Sequence, residues 1–219
     1  MKKLAIIGNG PYAMMMREYL EMDFKGELCA YVVDELYIDK KEIQGIPVLS
    51  FEHLKEKYET SEITLIMGIG YTQMGDVRKR IFELCKSMGY HFENYIHSTA
   101  IIAPNVQIGE GNNILEGVIL ESGVMVGNAN LFFCGAMIAH ETKIGSYNTF
   151  SVRSSVAGCT NIKNNCFMGI ASVVKDHVTI NDYALLGAAA YGYKDIPSYS
   201  VVTPAKSVLL KDKISTDYL

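Results

Sequence analysis

IAHETKIGSYNTFSVRSSVAGCTNIKNNCFMGIASVV, residues Ile138–Val174, carries an apolar side chain at every sixth position: Ile138, Ile144, Phe150, Val156, Ile162, Met168 and Val174. The register runs back without insertion through Phe132, Val126, Leu120, Ile114, Ile108 and Ile102 to Ile96, and on through Ile180 to Leu186. With 49% of the chain apolar, a run of this length arises by chance about once in a hundred thousand. A period of six fits neither an isolated helix nor simple strand alternation. It fits short strands wound into a solenoid, each contributing one inward residue at a fixed phase.

Two residues before the inward position stands a second series, mostly small: Ala100, Val106, Val118, Val124, Ala136, Ser154, Cys166, Ser172 and Ala184. Such residues suit the interior corner of a narrow triangular coil. Gly109, Gly127, Gly145, Gly169 and Gly187 follow the aliphatic position and read as corners, where glycine accepts a positive φ. Gly109, Gly127 and Gly145 are 18 residues apart, so three hexapeptides make one turn. The repeat predicts about five coils and a prism roughly 25 Å tall.

Residues 1 to about 92 follow another rhythm. Apolar strands are predicted at Lys3–Gly8, Glu27–Asp34 and Glu62–Gly68. Helices are predicted at Tyr12–Glu21, Phe51–Tyr58 and Thr72–Met88, the last with Val77, Ile81, Leu84 and Cys85 on one face. Strand–helix alternation of this kind predicts a small parallel, Rossmann-like α/β sheet. The expected organisation is therefore an α/β domain at 1–92, a β-helix at 93–205 and a tail at 206–219.

Composition narrows the function. A net charge of -4 over 219 residues argues against a nucleic-acid partner, which needs a concentrated basic surface. No apolar run approaches the roughly 20 residues of a membrane span. The segment Met1–Gly8 reaches glycine too early for a signal peptide, which points to a cytoplasmic protein. Cys29, Cys85, Cys134, Cys159 and Cys166 are odd in number, lack metal-ligand spacing and read as buried free thiols.

Runs such as Ile108–Gly111, Val126–Ala129 and Ile144–Tyr147 resemble the hexapeptide-repeat acyltransferases. The α/β segment followed by Ile138–Val174 resembles one subgroup of them, which includes the bacillosamine-pathway acetyltransferases and the sialic-acid O-acetyltransferases. The resemblance implies a left-handed β-helix, a homotrimer and transfer of an acetyl group from acetyl-CoA to a sugar. The sugar implied is nucleotide-linked, carries an amine and is destined for a surface glycan; transfer to a hydroxyl is the alternative.

The residues give that chemistry its places. His140 lies two positions after Ile138, which puts it at a coil corner facing outward, and an imidazole titrates in the range a general base needs. An exposed surface histidine is the competing reading. The resemblance makes Glu141 the partner of the imidazole and gives Gly158, one coil on, an N–H that binds the thioester oxygen. It also places Thr149, Ile170 and Ala188 against coenzyme A. In the first domain, Gly8-Asn9-Gly10-Pro11-Tyr12-Ala13 is an incomplete dinucleotide fingerprint with alanine at the third glycine. A strand-to-helix turn without ligand explains it equally well. The resemblance makes Gly10, Pro11 and Tyr12 the cover of a nucleotide, with Asp34 and Glu35 facing its base. The segment Gly68–Met74, Thr203–Lys206 and Arg153 depart from the subgroup and leave the sugar unassigned.

Three other readings carry less. A zinc-dependent carbonic anhydrase of β-helical fold needs three converging histidines, whereas His97, His140 and His177 differ in coil phase, so no metal is expected. A nicotinamide-dependent oxidoreductase rests only on the first turn and Asp34 and leaves the second half without a role. A non-catalytic β-helical module leaves His140, Glu141 and Gly158 unexplained.

Overall fold

The computed structural model describes residues 2–23, 26–207 and 216; most of the expected tail at 206–219 lies outside them. Strands β1 (Lys2–Ile7), β2 (Gly26–Val33), β3 (Glu42–Ile43), β4 (Ile46–Ser50) and β5 (Ile63–Met67) form one sheet in the order β3-β4-β2-β1-β5. Among the described residues only the short β3–β4 pair is antiparallel. Helices α1 (Pro11–Asp23), α2 (Phe51–Lys57) and α3 (Asp76–Ser87) connect the strands. Ser50 caps α2, its hydroxyl accepting from the His53 N–H at 3.2 Å. β1 lies between β2 and β5, so the chain reverses its winding direction across β1 and leaves a crevice at the strands' carboxyl ends.

The helix predicted from Thr72 begins instead at Asp76. Gln73 and Met74 adopt left-handed φ of 51° and 53°, and Gly75 follows at 86°. Three successive left-handed residues cannot continue a right-handed helix, and they form a tight turn of their own.

From Tyr95 to Val202 the chain is a left-handed parallel β-helix. Eighteen two-residue strands form three sheets of seven, six and five strands among the described residues, six turns in all, because the winding continues beyond Leu186. The second residue of each strand points inward. Ile114, Leu120, Phe132, Ile138, Phe150, Ile162, Met168 and Leu186 are buried, and the Phe132 and Phe150 rings stack at 4.7 Å. Ile96 departs from the expected inward series: it is 43% exposed, because the first coil has no coil beneath it.

The corners correct one reading of the sequence. Positive φ recurs at every sixth residue from Gly111 to Ala189, between 50° and 76°. It falls three residues after the inward aliphatic and not on Gly109, Gly127, Gly145, Gly169 or Gly187. Those glycines answer to crowding. A Cβ on Gly127 would sit 2.6 Å from the Gly145 oxygen, and one on Gly145 2.6 Å from the Lys163 oxygen. Ten of the fourteen left-handed positions carry a side chain, among them Glu141, Tyr147, Arg153 and Cys159. Each such residue costs about 1–2 kcal/mol. In return its N–H turns back to the preceding coil: Glu141 donates to Ser122, Arg153 to Cys134 and Cys159 to His140, at 2.9–3.1 Å.

A buried asparagine ladder reinforces one corner. Asn94, Asn112, Asn130 and Asn148 stand 18 residues apart, and each of the last three donates its backbone N–H to the side-chain oxygen of the one below. Asn130 Nδ2 also donates to Asn112 Oδ1 and to the Gly145 oxygen, both at 3.0 Å.

The α/β sheet and its helices cover one face of the prism, that of the strands beginning at Asn113, Leu131, Thr149 and Phe167. The fastening is Arg78, fully buried on α3. Its guanidinium donates to the oxygens of Gly70, Ala129 and Tyr147 at 2.6–2.7 Å, and to Asn148 and Thr149 Oγ1. Burial lowers its pKa to about 10, which still leaves the group charged at neutral pH. Asn113, Asn165 and Tyr183 extend the seam through Met67, Met74 and Asp76. Two faces remain uncovered. One presents Ile101, Met137, Val173 and Tyr191, all exposed; the other presents Gln107, Met125, Lys143 and Asn161.

The ladder's contribution is measurable by equilibrium urea unfolding. Asn130→Ala leaves the buried Asn148 N–H and Gly145 oxygen without those partners, and an unmade buried hydrogen bond costs about 1–3 kcal/mol. The expected loss is about 3 kcal/mol; a loss below about 0.5 kcal/mol would show that the ladder does not stabilise the coil.

Candidate active site

Two features stand apart on the surface. The first is a cleft of about 650 Å³ at the carboxyl ends of β1, β2 and β5, where the winding reverses. Its floor is apolar, with Ile7, Val32, Ile69 and Ile81, and its rim carries Asn9, Asp34, Tyr37 and Arg80. Gly10, Pro11, Tyr12 and Asp34, all named from the sequence, line it. Glu35 does not: it opens the exposed Glu35–Tyr37 turn, and Tyr37 reaches the cleft from there.

Local geometry explains the turn. Gly8 has φ 110°, and a Cβ on it would lie 2.9 Å from the Gly68 oxygen. The expected third glycine of the fingerprint is the buried Ala13, which the fold tolerates because Gly68 opposite supplies the close approach. Pro11 opens α1 and has no N–H to give, so the amides that follow it carry the positive end of the helix. The Tyr12 hydroxyl receives a hydrogen bond from Asn113 Nδ2 at 3.0 Å, and burial raises its pKa to about 12. Asp34 pairs with Arg80 at 2.6 Å across the rim. Arg80 is more than half exposed, so the pair positions groups more than it stabilises the fold.

The second feature is the corner between the apolar and polar free faces. His140 and Glu141 occupy it in one coil and Gly158 in the next. His140 is exposed, and its ring lies over Gly158: a Cβ there would be 2.7 Å from both Cε1 and Nε2. A side chain at 158 would therefore have to push the imidazole aside. The Gly158 oxygen accepts from His177, while its N–H donates to no protein acceptor among the described residues. The His140 N–H donates to Glu121 Oε2 at 2.9 Å, a partner the sequence reading missed because it lies 19 residues back on the same corner. Glu141 has φ 56° and turns its carboxylate over Gly123. Among the described residues no hydrogen bond or ion pair joins it to the His140 ring.

The remaining expected residues separate. Ile170 and Ala188 are exposed and stack one coil apart at the next corner, together with Phe133 and Arg153. Thr149 is corrected: it is 2% exposed on the covered face, and its hydroxyl accepts from Arg78, so a ligand would have to displace the guanidinium to reach it. Cys159 also differs from expectation, being exposed beside Gly158 while Cys85 and Cys166 are buried. Phe133 is the β-helix's contribution to the cleft wall. Within one chain the cleft thus opens at the Phe133 corner, and His140 sits one prism face away.

No group of three or more His, Cys, Asp or Glu among the described residues could hold a metal ion. No helix among them is long and apolar enough to cross a membrane.

No family model and no curated protein matches the chain. Solved structures do. The acetyltransferase domain of PglB from Neisseria gonorrhoeae FA1090 is 21% identical with a TM-score of 0.81, covering 95% of this chain and 100% of that one. PerB from Caulobacter crescentus, solved in complex with CoA and GDP-perosamine, is 23% identical with a TM-score of 0.79, covering 92% and 94%. WeeI from Acinetobacter baumannii AYE is 20% identical with a TM-score of 0.79, covering 92% and 96%. The chain therefore has the complete two-part fold of these proteins, α/β sheet and left-handed β-helix together.

Proposed function

We propose that the protein transfers an acetyl group from acetyl-CoA to the amine of a nucleotide-linked amino sugar, and that it does so in the cytoplasm as a homotrimer. The observation that carries this reading is the pairing of two surfaces: an outward imidazole seated on a glycine at a β-helix corner, and a nucleotide-sized cleft at the sheet's reversal point. Their likeness in fold to PerB, whose structure holds CoA and GDP-perosamine, favours the same assignment.

In this reading residues 1–92 bind the nucleotide sugar and residues 93–205 perform the transfer. The diphosphate lies at the α1 N-terminus over Gly10, Pro11 and Tyr12, with the nucleoside toward Asp34 and Tyr37. His140 accepts a proton from the amine as its nitrogen attacks the thioester carbonyl carbon. The oxyanion takes the free N–H of Gly158, and on collapse the C–S bond breaks and CoA thiolate receives the proton from the imidazolium. Glu121 anchors the His140 backbone N–H, and Glu141 stands beside the base at the same corner as its supporting partner. Ile170 and Ala188 supply an apolar edge for the coenzyme.

The trimer makes these parts one site. An exposed apolar face beside an uncovered polar one favours burial of the first. A ring of three with apolar faces inward sets the His140 corner of each protomer against the Phe133, Arg153, Ile170 and Ala188 corner of the next, a heterologous contact that closes. The base then meets its neighbour's cleft.

Coenzyme A release measured across a panel of nucleotide-linked amino sugars tests the reading. Turnover is expected with one of them, with His140→Ala lowering it about 10²–10⁴-fold. Turnover on hydroxyl acceptors alone would reassign the chemistry to O-transfer. Gly158→Ala should retain stability, since only a mobile ring has to move, yet lose about 10²-fold in kcat, because the added Cβ pushes the His140 imidazole out of position while the N–H at 158 remains. Met137→Arg, on the apolar face, should yield monomers by analytical ultracentrifugation and abolish turnover; active monomers would refute the shared site.

A further inference from the structure

Tyr71 is large, aromatic and 54% exposed, yet it is held rigidly. Its ring packs edge-on against Phe133 at 6.3 Å and Phe167 at 5.4 Å, and Phe133 in turn meets Tyr12 at 5.9 Å. These contacts hold the ring in place while more than half of the residue stays exposed at the cleft, which Tyr71 lines beside Gly70 and Thr72.

The backbone beneath is strained and bolted down. Gln73 and Met74 are left-handed at φ 51° and 53°, and strain of this kind persists only where surroundings over-determine it. Here Arg78 donates to the Gly70 oxygen at 2.6 Å on one side of Tyr71, and Asn165 donates to the Met74 oxygen at 3.1 Å on the other. Buried groups of α3 and of the β-helix thus clamp a five-residue loop whose outward product is one exposed aromatic ring. The sequence feature behind it is Gly70-Tyr71-Thr72-Gln73-Met74.

Direction within the cleft selects the occupant beside that ring. The α1 N-terminus lies in the middle, where a diphosphate belongs. Asp34, Tyr37 and Arg80 lie on the β2 side, and Tyr71 and Phe133 on the β5 side, against the β-helix where acyl transfer takes place. The nucleoside and the sugar must leave the diphosphate in opposite directions, so the sugar takes the Tyr71 side. Resting on the nucleotide-sugar reading above, we infer that Tyr71 is a specificity-determining residue for the acceptor. Its exposed ring packs against the C–H-rich face of the pyranose and turns the amine toward the neighbouring protomer's imidazole. The contact is made by the ring; the hydroxyl has no part in it.

The chain contains no tryptophan, so Tyr71→Trp installs a lone reporter at an exposed position where folding is not at risk. Its emission should change on titration with the nucleotide-linked amino sugar that the wild type acetylates. The matching nucleoside diphosphate alone, or coenzyme A alone, should leave it unchanged. An equal change with the nucleoside diphosphate, or no change with the sugar nucleotide, overturns the proposal. In steady state Tyr71→Ala should raise KM for the acceptor about tenfold while KM for acetyl-CoA stays within about twofold; an unchanged acceptor KM counts against it. Tyr71→Phe should match the wild type, and an equal loss in Tyr71→Phe would transfer the role to the hydroxyl. Absence of wild-type turnover on every nucleotide sugar is a different result and falls on the function itself.

Discussion

A left-handed backbone corner at every sixth residue is the constraint from which the rest of the molecule follows. Strand N–H groups donate forward to the next coil, as Met137 does to Ser154, whereas the N–H groups of the left-handed corner residues from Ala129 to Ala189 donate back to the previous one, as Glu141 does to Ser122. The positive φ is what reverses the peptide. A single such residue is unfavourable, and the stack as a whole holds it by hydrogen bonds above and below, with asparagines at one corner adding side-chain bonds in the same sense. Because the corners are fixed, every residue's coil phase assigns it to a face. His140 and Gly158 share one corner, Phe133 and Ile170 another, and the third is left for the α/β domain.

The second constraint is the Arg78 guanidinium. A buried cation without a carboxylate is costly, and here backbone carbonyls from Gly70 and from two successive corners, Ala129 and Tyr147, satisfy it. Those carbonyls exist only where the loop, α3 and the β-helix are assembled together. The group therefore acts as a check on assembly, fixing the cleft's Tyr71 wall relative to the prism. Positions on the two halves that carry no obvious chemistry thus set the distance over which the proposed chemistry has to operate.

Much of this was legible in the sequence. The six-residue register identified the coil, its triangular section and the outward corner position of His140, because inward packing tolerates little but apolar side chains. The α/β alternation likewise gave β1, β2, β5 and their helices. What stayed hidden depends on backbone conformation or on partners distant in sequence. The corner glycines were misread, since a hexapeptide pattern does not show whether glycine answers to a positive φ or to a carbonyl 2.6 Å away. Thr149 follows the strand pattern, and only the docking of Arg78 closes it off. The edge strand Glu42–Ile43 is too short to show a pattern. The asparagine series at 94, 112, 130 and 148 has the 18-residue spacing of one coil, but an apolar register does not reveal it, because its positions are polar.

The proposed site is shared: the base comes from one protomer and the acceptor cleft from the next. Two damaged chains test it directly. His140→Ala removes the base and leaves the cleft. Gly10→Trp obstructs the cleft and leaves the base, and nothing lies within 4 Å of a Cβ at Gly10 to disturb the fold. Acetyl transfer is measured for each variant alone and for the two after co-refolding in equal amounts. Random heterologous assembly pairs an intact base with an intact cleft at one interface in four, so the mixture is predicted to recover about a quarter of wild-type activity from two inactive parents. A mixture no more active than its parents would rule out the shared site and return both halves of it to a single chain.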